Sequence, residues 1–440
     1  MISENFEKYG LKKSQPIWGI VIAVLAIIWG IYLQGKSADL PVHLVAGILI
    51  GYVLTRSRYG FAGGVKRVFY RGEGSLTTAI IVLLAITAMV NIGIQWFAST
   101  KGAVPAWQAT SPTQAVIPGT QNVRIGNISV ILGGFLFGMG MIMAGGCASG
   151  TLSDFGEGEG HAWIALPFFI LFAAPGQYLG YQMDQTAIGK IGINVWLPQY
   201  VGYAGAIAIT LVIMLILYGI TKAYENKKKA EGMYLPPNSD WEDFEKPIPD
   251  DEKEPFKWNS WSTYHKFFVE RWTFLVGSVG IAIGAIFIIT TTGKAWGVTT
   301  PFVTADQKFF GLFGMKFTSG AFDETAKAMS GPLLQDGGTI RNIGIVAGAM
   351  IAFLMAGRFS MKFKMRFSDF MGYAVGGAFM GLGARMARGC NIGALYSSIT
   401  NFSLHGYIFM FFLILGAATA IKLFQGRIAL CPRYLSPNAA

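Results

Sequence analysis

Long apolar runs, separated by short polar links, fill most of this chain. Each run is long enough for a helix that crosses, or half crosses, a bilayer. Ten such spans are predicted, at 16–33, 42–54, 76–97, 132–152, 161–180, 201–220, 272–292, 342–355, 375–395 and 405–424. Hydrocarbon leaves no water to satisfy backbone groups, so helices are expected and open strands are not. The fold class is therefore an all-α polytopic membrane protein. Basic residues gather in particular links: Arg56, Arg58, Lys66, Arg67 and Arg71 after the second span, Lys222 and Lys227 to Lys229 after the sixth, and Arg358, Lys362, Lys364 and Arg366 after the eighth. The positive-inside tendency places these links in the cytoplasm and the base-poor connection 98–127 outside.

Five segments follow from this pattern. Residues 1–15 carry Lys8, Lys12 and Lys13 but no small-residue cleavage site, and are expected to form a cytoplasmic arm. A first membrane unit, 16–222, is joined to a second, 271–426, by the hydrophilic linker 223–270. That linker, rich in proline and in charges of both signs, is expected to be extended or partly disordered. Residues 427–440, with Cys431, form a cytoplasmic tail, so that a multi-pass chain keeps both termini inside.

One stretch occurs twice. LGGFLFGMGMIMAGGCASGTL at 132–152 aligns without a gap to VGGAFMGLGARMARGCNIGAL at 375–395, at an offset of 243 positions (390 − 147 for the cysteines). Gly133, Gly134, Gly138 and Gly140 match Gly376, Gly377, Gly381 and Gly383, and Gly146, Cys147 and Gly150 match Gly389, Cys390 and Gly393. The similarity continues from His161 and His405 at an offset of 244 (405 − 161), and weakly from Gly47, Tyr59 and Gly60 to Gly284, Trp296 and Gly297 at 237 (297 − 60). Although six of the ten spans precede the linker and four follow it, a repeat unit of about five spans, an odd number, implies that the second half enters the bilayer upside down relative to the first. Both copies are helical until a Gly-Cys pair, where a glycine-loosened backbone can leave the helix. Inverted repeats with broken helices place a substrate near the midplane, between the halves.

Composition narrows the function. With 52% hydrophobic and 13% charged residues the chain belongs in a lipid bilayer. The net charge of +11 is carried by the links rather than one face, which speaks against a nucleic-acid partner. Three cysteines make no disulfide framework, and no pair has zinc-ribbon spacing. Nothing reads GxxxxGK followed by Ser or Thr, so ATP-driven transport within the chain is not expected; the first reading is a transporter with neither enzymatic activity nor a cofactor.

The candidate substrate path is built from Cys147, Cys390, Gly146, Gly389, Ser149, Asn391, Arg388 and Arg385. An anion there would meet freed backbone N–H groups, hydroxyls and two guanidiniums. A thiol can bond a soft, polarisable sulfur without the desolvation cost of a stronger polar group. The bland readings are that a buried cysteine is a small hydrophobe and that the arginines mark a helix end. Lys66 and Arg67 either attract anions in an inner vestibule or only orient the chain.

GGCASG and RGCNIGALYSSI, set in two halves, resemble the central signatures of the YeeE/YedE family of bacterial inner-membrane sulfur-compound transporters. The resemblance implies an hourglass of short helices entering from both faces, cysteines relaying thiosulfate by S–H···S hydrogen bonds, and a small cytoplasmic sulfur carrier of the TusA type as partner. Cys147 and Cys390 match the family's central and second-half cysteines. The thiosulfate branch has a further cysteine in a pattern like R-x-C-F-x-x-A; here SRYGFAGG puts Gly60 in its place. Cys431 does not align with it and is left with a tail role at the cytoplasmic face. A selenium-associated YedE-like branch is the alternative, with a selenium oxyanion as substrate. Two other classes stay open: a membrane thiol oxidoreductase cycling Cys147 and Cys390, and an anchoring protein that recruits the sulfur carrier.

Overall fold

Helix follows helix along almost the whole chain. The computed structural model describes residues 2–111, 113–251, 253, 256–361 and 363–432, so Lys362 and the last part of the tail lie outside the described residues. The first half runs α1 (Ile2–Lys8), α2 (Gln15–Gln34), α3 (Asp39–Arg56), α4 (Phe61–Arg71), α5 (Ser75–Thr100), α6 (Ile128–Ala144), α7 (Ala148–Glu157), α8 (Gly160–Leu171), α9 (Ala173–Gln185) and α10 (Leu197–Ala230). The second runs α11 (Trp261–Tyr264), α12 (Phe274–Thr292), α13 (Thr300–Gly311), α14 (Asp323–Ser330), α15 (Gly337–Met355), α16 (Phe367–Met386), α17 (Ser397–Thr400) and α18 (His405–Phe424).

Among the described residues, eight helices or helix pairs are long and apolar enough to cross a membrane, and nine if α8 and α9 count as one bent span. The 43° bend between them has a covalent cause: Pro175, in the first turn of α9, has no N–H to continue the helix. The protein is thus all-α and polytopic. Its lipid-facing surface is apolar, and Ile17, Trp18, Ile20, Leu25 and Ile28 of α2 are each more than half exposed. The ninth predicted span differs from this pattern. Its helix α16, glycine-rich and carrying Asp369 and Arg385, lies in the interior, covered by α6, α8 and α9.

Glycine decides the central packing. α6 and α16 cross with Gly133 against Gly383 and Gly140 against Gly376; a Cβ on Gly133 would lie 2.7 Å from the Gly383 carbonyl, and one on Gly140 2.6 Å from that of Gly376. Seven residues forward on one helix is seven backward on the other, so the two run antiparallel. The contacts exchange under the two repeat offsets, 243 for the glycine helices and 244 for the helices that follow them. Gly134 meets Phe409 and Phe412 on α18, and its counterpart Gly377 meets Ala165 and Phe168 on α8. Without a hydrophobic drive between helices in lipid, such backbone-to-backbone approach supplies the attraction.

The linker corrects its expectation. Rather than trailing free, it folds back as the end of α10, a short 3₁₀ turn at Asp243–Glu245 and α11. Trp261 and Val269 pack with Phe6 and Leu11 of the N-terminal arm, and Glu245 is almost fully buried. Its carboxylate faces Arg58 of the first half at 3.7 Å, Arg271 at 3.7 Å, and Arg358 in direct contact. Asp240 similarly holds Arg67 at 2.8 Å and Arg271 at 3.6 Å. Burial opposes ionisation of Glu245, but Arg358 and Arg58 hold its carboxyl below the usual range. A segment expected from its polarity to be extended or partly disordered is, over its described residues, packed in place because its acids neutralise arginines of both halves. Glu245→Ala is expected to take this carboxylate from Arg358 and one of two carboxylates from each of Arg58 and Arg271, costing about 3 kcal/mol locally. Limited proteolysis should then cut the linker faster; unchanged cleavage would show that the clamp is dispensable.

Candidate functional site

The two cysteines occupy matched breaks in the backbone. α6 ends at Gly145 (φ 94), the chain runs extended through Cys147 (φ −85, ψ −177), and α7 starts with Cys147 as its cap. In the second copy Arg388 (φ 57) takes the left-handed position, Cys390 is extended (φ −94, ψ −164), and a π-helical turn, Asn391–Tyr396, follows. The first closing hydrogen bonds coincide as well: Thr151 N–H to Cys147 O and Ala394 N–H to Cys390 O, each 2.7 Å. Cys390 Sγ accepts the Ile392 N–H at 3.4 Å, and Cys147 Sγ lies 3.5 Å from Ser149 Oγ. Both thiols are free, fully buried and part of one core cluster, so neither faces lipid.

A cavity of about 160 Å³ opens beside Cys147. Arg58, Gly60, Asp154 and Glu157 are among its walls. Arg58 reaches Glu157 at 2.9 Å and, through Glu245, the linker, so this mouth is crossed by ion pairs. A Cβ on Gly60 would come no nearer than 4.0 Å to any neighbour. A thiol at that position would fit, and without it the cavity is wider.

A larger cavity, about 500 Å³, lies on the Cys390 side. Gly389 and Gly393, which bracket Cys390 in sequence, line it; the thiol does not. Among the described residues its walls carry Arg124, Lys294, Arg341, Arg385 and Arg388 against one carboxylate, Asp336. Arg388 pairs with Asp184 at 2.7 Å. Arg385 is buried and donates to Gln177 Oε1 (3.1 Å from Nε) and Thr300 Oγ1 (3.2 Å). Arg341 donates to Gly297 O at 2.6 Å and faces His43 Nδ1 at 3.4 Å. Both arginines proposed from sequence therefore face a polar cavity rather than capping a helix toward lipid.

The cavities share a scaffold and differ in charge. Gly60 and Gly297, Gly146 and Gly389, and Gly150 and Gly393 are counterparts, and each pair contributes one member to each cavity. One end presents a single guanidinium between two carboxylates, the other five cations and one carboxylate.

Other sequence candidates fall elsewhere. Asn391 points its amide toward Met141 Sδ at 3.7 Å and lines an apolar side cavity instead. Lys66 reaches the Gly145 carbonyl at 3.5 Å, and Arg67 is held by Glu73 and Asp240; neither lines the Cys147 cavity. Cys431 is not a free tail residue: it is buried, with its Sγ 3.5 Å from Ile142 O, because the tail folds under α6. The reading missed His43, Arg124, Lys294 and Arg341, whose shared cavity joins residues up to 298 positions apart.

A family model described as sulphur transport matches residues 56–419. The chain is 25% identical to the thiosulfate transporter TsuA of Escherichia coli (strain K12) over 395 residues, 86% of this chain and 92% of the relative. It is 25% identical to the thiosulfate transporter TsuA of Spirochaeta thermophila over 85% of this chain and 95% of that one. The probable transporter YedE of Escherichia coli (strain K12) is 27% identical over 180 residues, 40% of this chain and 43% of its own. These relatives are named as transporters, not as enzymes.

Proposed function

The chain belongs to the sulphur-transport family, and from that premise we propose that it carries a thiosulfate-like anion into the cytoplasm, past Cys390 and then Cys147. The observation that carries this reading is the pair of cavities, each reaching one of two buried, repeat-related cysteine breaks. The Cys390-side cavity, with its excess of cations, concentrates anions at the outer mouth. Asp154 and Glu157, beyond Cys147, favour release rather than retention. Orientation follows from the linker and the basic links, which gather at the Cys147 end and mark it as cytoplasmic. The two halves then lie inverted across a bacterial inner membrane. A TusA-like sulfur carrier would dock at the linker face.

A selenium oxyanion is the second reading, favoured by Gly60, which leaves no thiol where the thiosulfate branch is expected to carry one. Either dianion moves inward against an inside-negative potential, which opposes each charge by about 2.3 kcal/mol per 100 mV. Purified protein in liposomes should accumulate radiolabelled thiosulfate in a saturable manner, with competition by unlabelled thiosulfate and not by sulfate. Stronger competition by selenite would favour the second reading. Vesicles with the protein that take up no more of either anion than empty ones would remove both.

A further inference from the structure

α13 carries a charge that the anion path does not use. Asp306 is fully buried, and its Oδ2 accepts the Ala174 N–H at 2.8 Å, at the start of α9. Among the described residues its Oδ1 has no partner, and neither amide atom of the adjacent, fully buried Gln307 has one. Three unpaired polar atoms on neighbouring residues are rarely left in a protein interior without a function. At the 237 offset the first half has Phe69 in the place of Asp306, so the carboxyl belongs to one copy only.

The carboxyl is joined twice to the anion-facing arginine. Thr299 and Thr300, at the start of the same helix, accept hydrogen bonds from Arg385 at 3.4 and 3.2 Å. Ala174, which Asp306 holds, lies one turn before Gln177, whose Oε1 accepts Arg385 from the other side. Gln177 is fixed in turn by the Ala321 carbonyl at 2.7 Å. A change of charge at Asp306 therefore acts on both elements that position Arg385 in the cavity wall.

We propose that Asp306 is a proton-binding site whose loading is coupled, through α13 and the start of α9, to anion occupancy at Arg385. This rests on the transport reading given above and supplies it with a driving ion, since each co-imported proton offsets one of the dianion's two opposed charges. A metal cation fits less well: side chains of adjacent helical residues diverge, so Asp306 and Gln307 do not converge as a ligand shell. α13 is too short to span a membrane, and burial raises the carboxyl to about 7, opposed only by the Ala174 N–H. No described charged group on the packed elements acts on it: Asp184 of α9 is paired with Arg388, Asp323 of α14 is exposed, Arg341 of α15 is turned to Gly297, and α8 offers only His161, paired with Asp154. On its own helix Lys308 is bound to Met329 O. The sign follows: the site is loaded below about pH 7 and empties above it.

The test uses the full chain in liposomes loaded with a pH-sensitive dye. Wild-type protein should acidify the lumen as thiosulfate enters, and an acid-outside gradient of one unit should raise accumulation by up to about tenfold per coupled proton. Asp306→Asn should lose that response yet keep thiosulfate exchange between equal concentrations at equal pH, and Asp306→Glu should restore part of it. A carboxyl that merely caps α9 would lower stability without altering the pH profile. Wild-type exchange without acidification, or an unchanged gradient response in Asp306→Asn, overturns the coupling and leaves transport standing. No exchange by the wild type overturns transport itself, and the coupling with it. Should Asp306→Asn not fold, the wild-type dye signal alone decides.

Discussion

Cys390→Ala and Cys147→Ala are each expected to lower thiosulfate uptake by roughly ten- to a hundredfold while leaving the protein folded. The magnitude comes from one hydrogen bond to a charged partner, about 1.5–3 kcal/mol, at about 1.4 kcal/mol per factor of ten. The thiols are buried, so an anion passing them has shed water and has few other donors to replace it. Truncation to alanine removes a single sulfur atom from the core, for which about 1 kcal/mol is a fair ceiling, so melting in detergent should shift little. Serine separates the roles further. It restores a donor but binds water and oxygen more strongly than the sulfur of the anion, so partial recovery at best is expected. Full uptake by both alanine variants would reduce the thiols to small apolar fillers and remove the relay.

The second large effect is on folding. Gly138 of α6 lies against α18 so closely that a Cβ would run into the Leu413 carbonyl and come within 2.9 Å of the Ala417 amide nitrogen. Its counterpart Gly381 would meet the Phe169 carbonyl at 2.6 Å. Backbone cannot rotate away as a side chain can, so the helices must separate. Gly138→Ala is expected to destabilise by about 3 kcal/mol, at the upper end of overpacking. Gly93 on α5 has nothing within 4 Å, and Gly93→Ala should be neutral or slightly stabilising through helix propensity. Thermal unfolding of both variants in detergent checks the pair; equal melting would mean that α6 and α18 are not held by this contact.

The spans and the duplicated glycine-cysteine stretch were legible in sequence because both are local patterns, a run of apolar residues and a fixed spacing. Glycine spacing also carried the packing, since small residues on one helix face leave room only for another backbone. What escaped was set by distance. The linker reads as solvated because Asp240 and Glu245 look like surface charges, and their partners Arg58, Arg67 and Arg358 lie up to 187 positions before or 113 after them (245 − 58, 358 − 245). Asp306 lies in a mixed segment whose burial is created by α8, α9, α14 and α15, so its polarity reads as exposure. Cys431 was placed in a tail because nothing in its neighbours tells of the Ile142 carbonyl that it meets.

Gly145 and Arg388 stand at equivalent bends, with φ of 94 and 57. A left-handed conformation is free for glycine and strained by about 1 kcal/mol for any residue with a side chain. The first copy keeps the unstrained solution and gains only a corner. Its twin accepts a distorted backbone and in exchange sets a guanidinium in the wall of the larger cavity, so two loops of one shape have parted company in electrostatics, and that divergence gives a nearly symmetric scaffold two unlike ends.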